Sequence, residues 1–280
     1  MNRAPHTKEN SPALWQIPPL LRDHHKYDRG HVALLGGATM TGAAKLAALA
    51  AQRAGAGLVT LAADRAVWPI YAMGMMSVIT LPLDGPKDWA TLLAARKVSA
   101  VLLGPGCAPG ELKRAMPTAL KTSLPLVLDA GALAWLAQHP VSPVRNETMR
   151  LVLTPHAGEY ARLAQAYGIA DAPSPQARAQ QLARASGAIV VLKGADTAIA
   201  APQGPVVRNR ADAPWLATAG TGDVLAGLIA GLLAQGMAPF DAACAGVWLH
   251  SEAARTFGPG MVAEDLLGAV PTVLRALLPA

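Results

Sequence analysis

Cysteine, aromatic residues and charge are all scarce in this chain of 280 residues, and each shortage excludes something. The two cysteines, Cys107 and Cys244, stand far apart with no C-x-x-C pair. They supply neither a disulfide framework nor a metal-ligand spacing, so a reducing compartment is the default expectation. No metal cluster can be assembled from the seven histidines either. Aromatics make up 4% and charged residues 15%, against 52% hydrophobic residues. The core must therefore be built from Ala, Leu and Val, whose small side chains suit helices lying close against a parallel sheet. No basic stripe with interleaved aromatics accompanies the net charge of +6, and the densest stretch, Arg22 to Arg29, also holds Asp23 and Asp28. The pattern predicts no nucleic-acid partner; a phosphate-bearing small molecule accounts for the same positive surplus. The longest apolar run, Val224 to Ala234, is too short to span a bilayer, and the opening MNRAPHTKENSPALWQIPPL lacks the apolar centre of a secretory signal. A soluble, cytoplasmic protein with no membrane partner is expected.

What is present is rhythm. Residues 1–30 are rich in Pro, His and charge and read as an N-terminal arm. From His31 onward, short branched-aliphatic runs recur: Val32–Leu35, Leu58–Leu61, Val78–Leu81, Ala100–Leu103, Leu126–Leu128, Leu151–Leu153 and Ile189–Leu192. Continuous runs of this kind are expected of strands buried on both faces. Helical segments such as Gly42–Arg53, Glu159–Tyr167 and Gln176–Ser186 lie between several of them. The alternation predicts an α/β fold with a mostly parallel central sheet flanked by helices on both faces. Ala198–Ala201 should form an antiparallel pair with Ile189–Leu192, and three helices, Asp223–Gln235, Phe240–Phe257 and Val262–Leu278, should close the chain. No linker divides the remainder, so residues 31–280 read as one domain.

The strongest local signal is Ala219-Gly220-Thr221-Gly222-Asp223 before the apolar helix. Glycines at a helix mouth let the backbone approach a ligand, and the unpaired N–H groups with the helix dipole form an anion site. Asp223 at the first turn would serve a lone helix as a cap. Beside a glycine-rich anion hole it is instead placed to deprotonate an attacking hydroxyl, and Asp223 is read as a general base for phosphoryl transfer. Gly36-Gly37-Ala38-Thr39-Met40-Thr41-Gly42 imitates part of a phosphate loop, but Ala43 and Ala44 stand where Lys and Ser/Thr belong. It also fails the dinucleotide fingerprint, which disfavours a Walker-type ATPase and a Rossmann dehydrogenase. Gly104-Pro105-Gly106, Asp129-Ala130-Gly131-Ala132 and Thr154-Pro155-His156 each follow a strand, on the sheet edge where ligands bind. There Asp129 either anchors a cation or ribose or caps the next helix. Lys193-Gly194-Ala195-Asp196-Thr197 is either a simple hairpin turn or a grip on a diphosphate.

Taken in this order, the motifs resemble the ADP/ATP-dependent NAD(P)H-hydrate dehydratases of the ribokinase-like superfamily, from about Leu14 to Leu278. The match includes His25-Lys26 with Gly30-His31, Gly36-Gly37 with Thr41-Gly42-Ala43, and the pairing of Thr154-Pro155-His156-x-x-Glu159 with Lys193-Gly194-x-x-Thr197. It continues through Gly220-Thr221-Gly222-Asp223 to Ala263-Glu264-Asp265. The resemblance implies a ribokinase-like domain that repairs hydrated NADH and NADPH (NADHX and NADPHX) with ADP, or ATP, as co-substrate and Mg²⁺ on the phosphates. By that resemblance Lys193, Gly194, Ala195, Asp196, Thr197, Gly220, Thr221 and Gly222 would hold the nucleotide. Ala43, Gly106 and His156 would line the substrate pocket, and Asp223 would face the C6 hydroxyl of the hydrated ring. It implies the dehydratase unit alone, without the epimerase domain often joined to it, and a homotetramer. Three positions depart from the pattern: Cys107-Ala108 after Gly106, Ala219 before Gly220, and Asp196 inside the lysine motif. The alternatives are a ribokinase-like vitamin kinase, such as one acting on hydroxyethylthiazole, and a non-catalytic nucleotide sensor.

Overall fold

The structure, a computed structural model, describes residues 7–19, 21–95, 97–141 and 150–278. Ten strands form one sheet among them. They are β1 (Thr7–Glu9), β2 (His31–Gly36), β3 (Leu58–Asp64), β4 (Ile79–Leu83) and β5 (Ala100–Leu103). The others are β6 (Leu126–Leu128), β7 (Leu151–Leu153), β8 (Ile189–Leu192), β9 (Asp196–Ala200) and β10 (Val206–Arg210). The order across the sheet is β1-β10-β9-β8-β7-β6-β5-β2-β3-β4. From β8 to β4 every neighbouring pair is parallel, and β9 is antiparallel to both β8 and β10. All residues of β2, β5, β6 and β8 are buried, as continuous aliphatic strands between two helical layers must be.

The helices are α1 (Thr41–Arg53), α2 (Trp68–Ala72), α3 (Pro86–Ala95), α4 (Ala115–Leu120) and α5 (Gly131–Gln138). They continue with α6 (Ala157–Ala166), α7 (Pro175–Ser186), α8 (Thr221–Ala234), α9 (Pro239–Phe257) and α10 (Ala263–Leu277). One core joins α1, α8, α9 and α10 to one sheet face, and a second joins α3 to α7 to the other. Helix α8 is buried from Val224 to Ala234, which explains an apolar surface all round. It packs on α1 without side chains between the backbones: a Cβ on Gly227 would lie 2.2 Å from the Ala47 carbonyl oxygen, and one on Gly231 2.4 Å from that of Ala51. Gly227 and Gly231 thus let α8 lie backbone to backbone on the alanines of α1, which sets where the mouth of α8 sits. Both cysteines are free and buried.

The expected α/β class, the parallel sheet and the antiparallel pair at its end are all present. Three details differ. Within the arm, Thr7–Glu9 forms β1 in parallel register with β10, and Asn10 bonds Asn209 and the Cys244 carbonyl, at 2.9 and 2.8 Å. Trp15 packs edge-on against Trp248, so the arm is docked on α9. The remainder of that expected arm at residues 1–6 and 20 lies outside the described residues. Strand β10 was not anticipated, because Val206–Arg210 carries two arginines and an asparagine. Its outer position next to the short β1 accommodates them. The fourth strand runs Ile79–Leu83 instead of Val78–Leu81, with Pro82 tolerated on the sheet's outermost strand.

Candidate active site

Strands β2, β5, β6, β7 and β8 end on one edge, and β10 returns the chain to the same edge before α8. The loops singled out from the sequence therefore converge. After β7, Thr154 turns its hydroxyl onto Asp129 at the end of β6, with Oγ1 donating to Oδ1 at 2.7 Å. After β8, the Lys193 ammonium donates to the same Oδ1 at 2.9 Å. Asp129 is 2% exposed, and its carboxylate does not cap α5. The cap position is instead Ala130, held at φ 46° and ψ −115°, a strained backbone for a non-glycine residue.

His156 opens α6 as its N-cap. Its Nδ1 accepts from the N–H groups of Gly158 and Glu159, at 3.0 and 3.4 Å, while Glu159 Oε2 accepts from the His156 N–H at 2.8 Å. The other ring nitrogen, Nε2, lies 3.5 Å from Glu159 Oε2, and the ring as a whole is partly exposed. Glu159 is buried, with Oε2 4.0 Å from Lys193 Nζ. Burial works against the Lys193 charge, but Asp129, Glu159 and Asp223 together outweigh it and hold the ammonium above its ordinary pKa.

Helix α8 enters this cluster by its N-terminus. Gly220 sits at φ 90°, where a Cβ would meet Leu46 Cδ1 at 2.8 Å and Ala263 Cβ at 2.9 Å, so only glycine fits. No side chain caps the helix. The Thr221 hydroxyl turns away from the mouth, donating to the Leu216 and Thr218 carbonyls at 2.9 and 3.0 Å. Buried His250 of α9 donates from Nε2 to the Thr221 carbonyl at 2.9 Å. Burial, opposed by that hydrogen bond and aided by the Lys193 charge, pulls the His250 pKa down to about 4, so the ring is a neutral brace. At Gly222 a Cβ would stand 3.3 Å from Lys193 Nζ, which places the ammonium over the helix mouth. The Asp223 carboxylate makes no hydrogen bond among the described residues. Burial first, and then the Asp129 carboxylate, push its pKa up to about 7, with Glu159 adding and Lys193 opposing. A carboxylate tuned to neutrality beside open N–H donors is suited to accept a hydroxyl proton.

The remaining predicted residues flank this centre. The Lys193–Thr197 turn is closed by Thr197 Oγ1 donating to the Gly194 carbonyl at 3.1 Å, with Gly194 and Ala195 exposed. Asp196 faces Arg210 of β10 at 3.7 Å, which offsets the negative charge at that departure from the family pattern. Ala43, in the first turn of α1, is buried against the Gly106 loop: a Cβ on Gly106 (φ 74°) would lie 3.6 Å from Ala43 Cβ and 2.3 Å from the Met40 carbonyl oxygen. Sequence reasoning assigned no role to two residues that shape this wall, Tyr71 and Glu111. Tyr71 is fully buried and its hydroxyl donates to the Gly37 carbonyl at 2.5 Å. Only its rarity, as one of four tyrosines, marks it in the sequence.

A family model described as NAD(P)H-hydrate dehydratase matches residues 32–271. The chain belongs to the NAD(P)H-hydrate dehydratase family. An ADP-dependent (S)-NAD(P)H-hydrate dehydratase of Xanthomonas campestris is 36% identical over 270 residues, covering 90% of each chain. A bifunctional NAD(P)H-hydrate repair enzyme of Moorella thermoacetica is 40% identical over 287 residues, covering 95% of this chain and 53% of that protein. The chain thus spans about half the length of the bifunctional relatives it matches. Among solved structures, the ADP/ATP-dependent NAD(P)H-hydrate dehydratase of Bacillus subtilis, co-crystallised with ATP/Mg²⁺, superposes with a TM-score of 0.82. It is 27% identical and covers 98% of this chain and all of its own. The fold is the ribokinase-like one that this family's motifs implied.

Proposed function

We propose that the protein is an ADP-dependent (S)-NAD(P)H-hydrate dehydratase, a hydro-lyase that returns NADHX and NADPHX to NADH and NADPH. One observation carries the proposal: a single carboxylate, Asp223, tuned to about 7 at an uncapped helix mouth that Lys193 overhangs. Asp223 accepts the proton of the C6 hydroxyl as its oxygen attacks the terminal phosphorus of ADP, which releases AMP. The C6–O bond then breaks with its electrons on phosphate while the ring nitrogen lone pair forms a C6=N bond. Phosphate is a far better leaving group than hydroxide, and the N–H groups of Gly222 and Asp223 can hold it as it departs. Protonated Asp223 returns its proton to the phosphate and is free to take the C5 proton, which restores the ring double bond. The sum is hydrated cofactor plus ADP giving reduced cofactor, AMP, phosphate and one proton.

The Lys193–Thr197 turn, with Gly220 to Gly222, is assigned to the nucleotide, and Ala43, Gly106 and His156 to the hydrated dinucleotide. The family resemblance implies Mg²⁺. Among the described residues no group of three His, Cys, Asp or Glu is placed to hold a metal. We assign the ion to the nucleotide phosphates, whose charge it would neutralise. We assign the protein to the cytoplasm, in keeping with its two free, buried cysteines. The exposed Ile70, Met73 and Met76 around α2 offer apolar surface to further copies of the chain, and the homotetramer is the assembly the family resemblance implies.

The test is absorbance at the reduced-nicotinamide band with purified hydrated NADH and either ADP or ATP. Nucleotide-dependent recovery of absorbance, with ADP preferred, is expected. Stoichiometric phosphorylation of hydroxyethylthiazole by ATP, with no recovery of reduced cofactor, would replace the reading by that of a vitamin kinase.

A further inference from the structure

Glu111 lies in a short 3₁₀ turn between β5 and α4, outside every motif that carries the family resemblance. Its side chain is exposed, yet its carboxylate is fully engaged. Oε1 accepts from the Ala38 N–H at 2.7 Å, and Oε2 accepts from the Ala108 N–H at 2.6 Å and the Thr39 hydroxyl at 3.3 Å. No ion pair claims it among the described residues. Ala38 and Thr39 belong to the loop after β2, and Ala108 to the loop after β5. The same two loops touch backbone to backbone beneath it: the Met40 N–H donates to the Gly106 carbonyl at 3.2 Å, and a Cβ on Gly37 would lie 2.3 Å from the Gly106 carbonyl oxygen. The first loop leads into α1, whose first turn holds Ala43, and the second carries Gly106.

We propose that Glu111 is a positioning residue for the dinucleotide substrate, a carboxylate clamp that locks the loops after β2 and β5 together and thereby shapes the Ala43–Gly106 wall. Three donors converge on one point, so only an acceptor with two oxygens satisfies them, and negative charge strengthens each bond. Glutamine at this position would offer one oxygen and turn its amide group toward a donor. The clamp lies on the β2 and β5 loops, away from the Lys193–Thr197 turn, so its loss should spare the nucleotide. The identity of the ligand rests on the function proposed above; the clamp itself rests on the geometry.

The experiment is steady-state kinetics of Glu111→Ala and Glu111→Gln, with NADPH binding followed by its fluorescence. The KM for hydrated NADH should rise about tenfold in Glu111→Ala, as expected for the loss of charge-assisted hydrogen bonds, while the KM for ADP stays unchanged. Glu111→Gln should show a smaller rise of the same selectivity. NADPH affinity should weaken in parallel. A proportional change in both KM values, or none in either, overturns the clamp. Should Glu111→Ala fail to fold, the glutamine variant decides by the same criterion. If the wild type shows no turnover, the proposed reaction fails, and NADPH binding alone still decides the clamp.

Discussion

Two helices begin beside Lys193 at this site, and their first turns are nearly the same in sequence. Helix α6 begins Ala157-Gly158-Glu159, and α8 begins Thr221-Gly222-Asp223. Each has glycine second and an acid third, yet one is closed and the other open. In α6 the preceding His156 has extended backbone, φ −81° and ψ 174°, so ring and acid exchange hydrogen bonds with the helix end. In α8 the preceding Gly220 is left-handed, at φ 90°, and brings no side chain to the helix end. Asp223 therefore does not fold back onto its own helix, and the N–H groups remain open. A satisfied mouth is scaffold; an unsatisfied one, with a desolvated acid on it, is where chemistry can occur.

The largest effect should come from removing the acid of the open mouth. Asp223→Asn is expected to lower kcat by about 10²–10⁴-fold, the usual contribution of a general base, with AMP binding retained in calorimetry. Wild-type rates in that variant would falsify the assignment. The same acid gives a pH signature. Because its pKa is raised to about 7, activity should fall tenfold per pH unit below that value as the base is protonated. For stability the sign is opposite to that of an ion-paired acid. The folded state holds the proton more tightly than the unfolded one, so this contribution is complete below the unfolded pKa and is lost as pH rises through about 7. Asp223→Asn should consequently melt higher than wild type at pH 8 and alike at pH 4.

Lys193→Ala leaves the buried Asp129 carboxylate without its cation, which should cost about 3–5 kcal/mol in denaturant unfolding and raise the KM for ADP. An unchanged KM would remove Lys193 from the nucleotide site while leaving its pairing role intact. Gly220→Ala forces a side chain into left-handed backbone against Leu46 and Ala263, and about 1–3 kcal/mol of destabilisation is expected. The smallest effect tests the closed mouth. His156→Ala should cost about 1 kcal/mol as a lost cap, whereas His156→Ser restores the cap. If the serine variant recovers stability but not the KM for hydrated NADH, the ring has a second role in the pocket. Recovery of both would confine His156 to capping.

The glycine-rich turn before α8, the lysine turn after β8 and the Thr154-Pro155-His156 turn were all legible as motifs. Composition and spacing expose where a backbone must approach a ligand. Asp129 was ambiguous because the same residue type caps helices and pairs with cations; its choice depends on Thr154 and Lys193, 25 and 64 residues away. Glu111 and Tyr71 were silent for the same reason, since each acts on the carbonyl or N–H of a loop more than thirty residues distant, and backbone groups carry no sequence signature. Strand β10 went unseen because polar residues are permitted near a sheet edge.

By itself the sequence determined a parallel α/β sheet and the identities of the loops at its carboxyl edge, because aliphatic periodicity and glycine placement are local properties. Tertiary structure alone decided which of two similar helix mouths stays open and what pKa its acid takes. Those depend on the dielectric and on charges contributed by the loops after β6 and β8 and by α6, which meet only when the chain is folded.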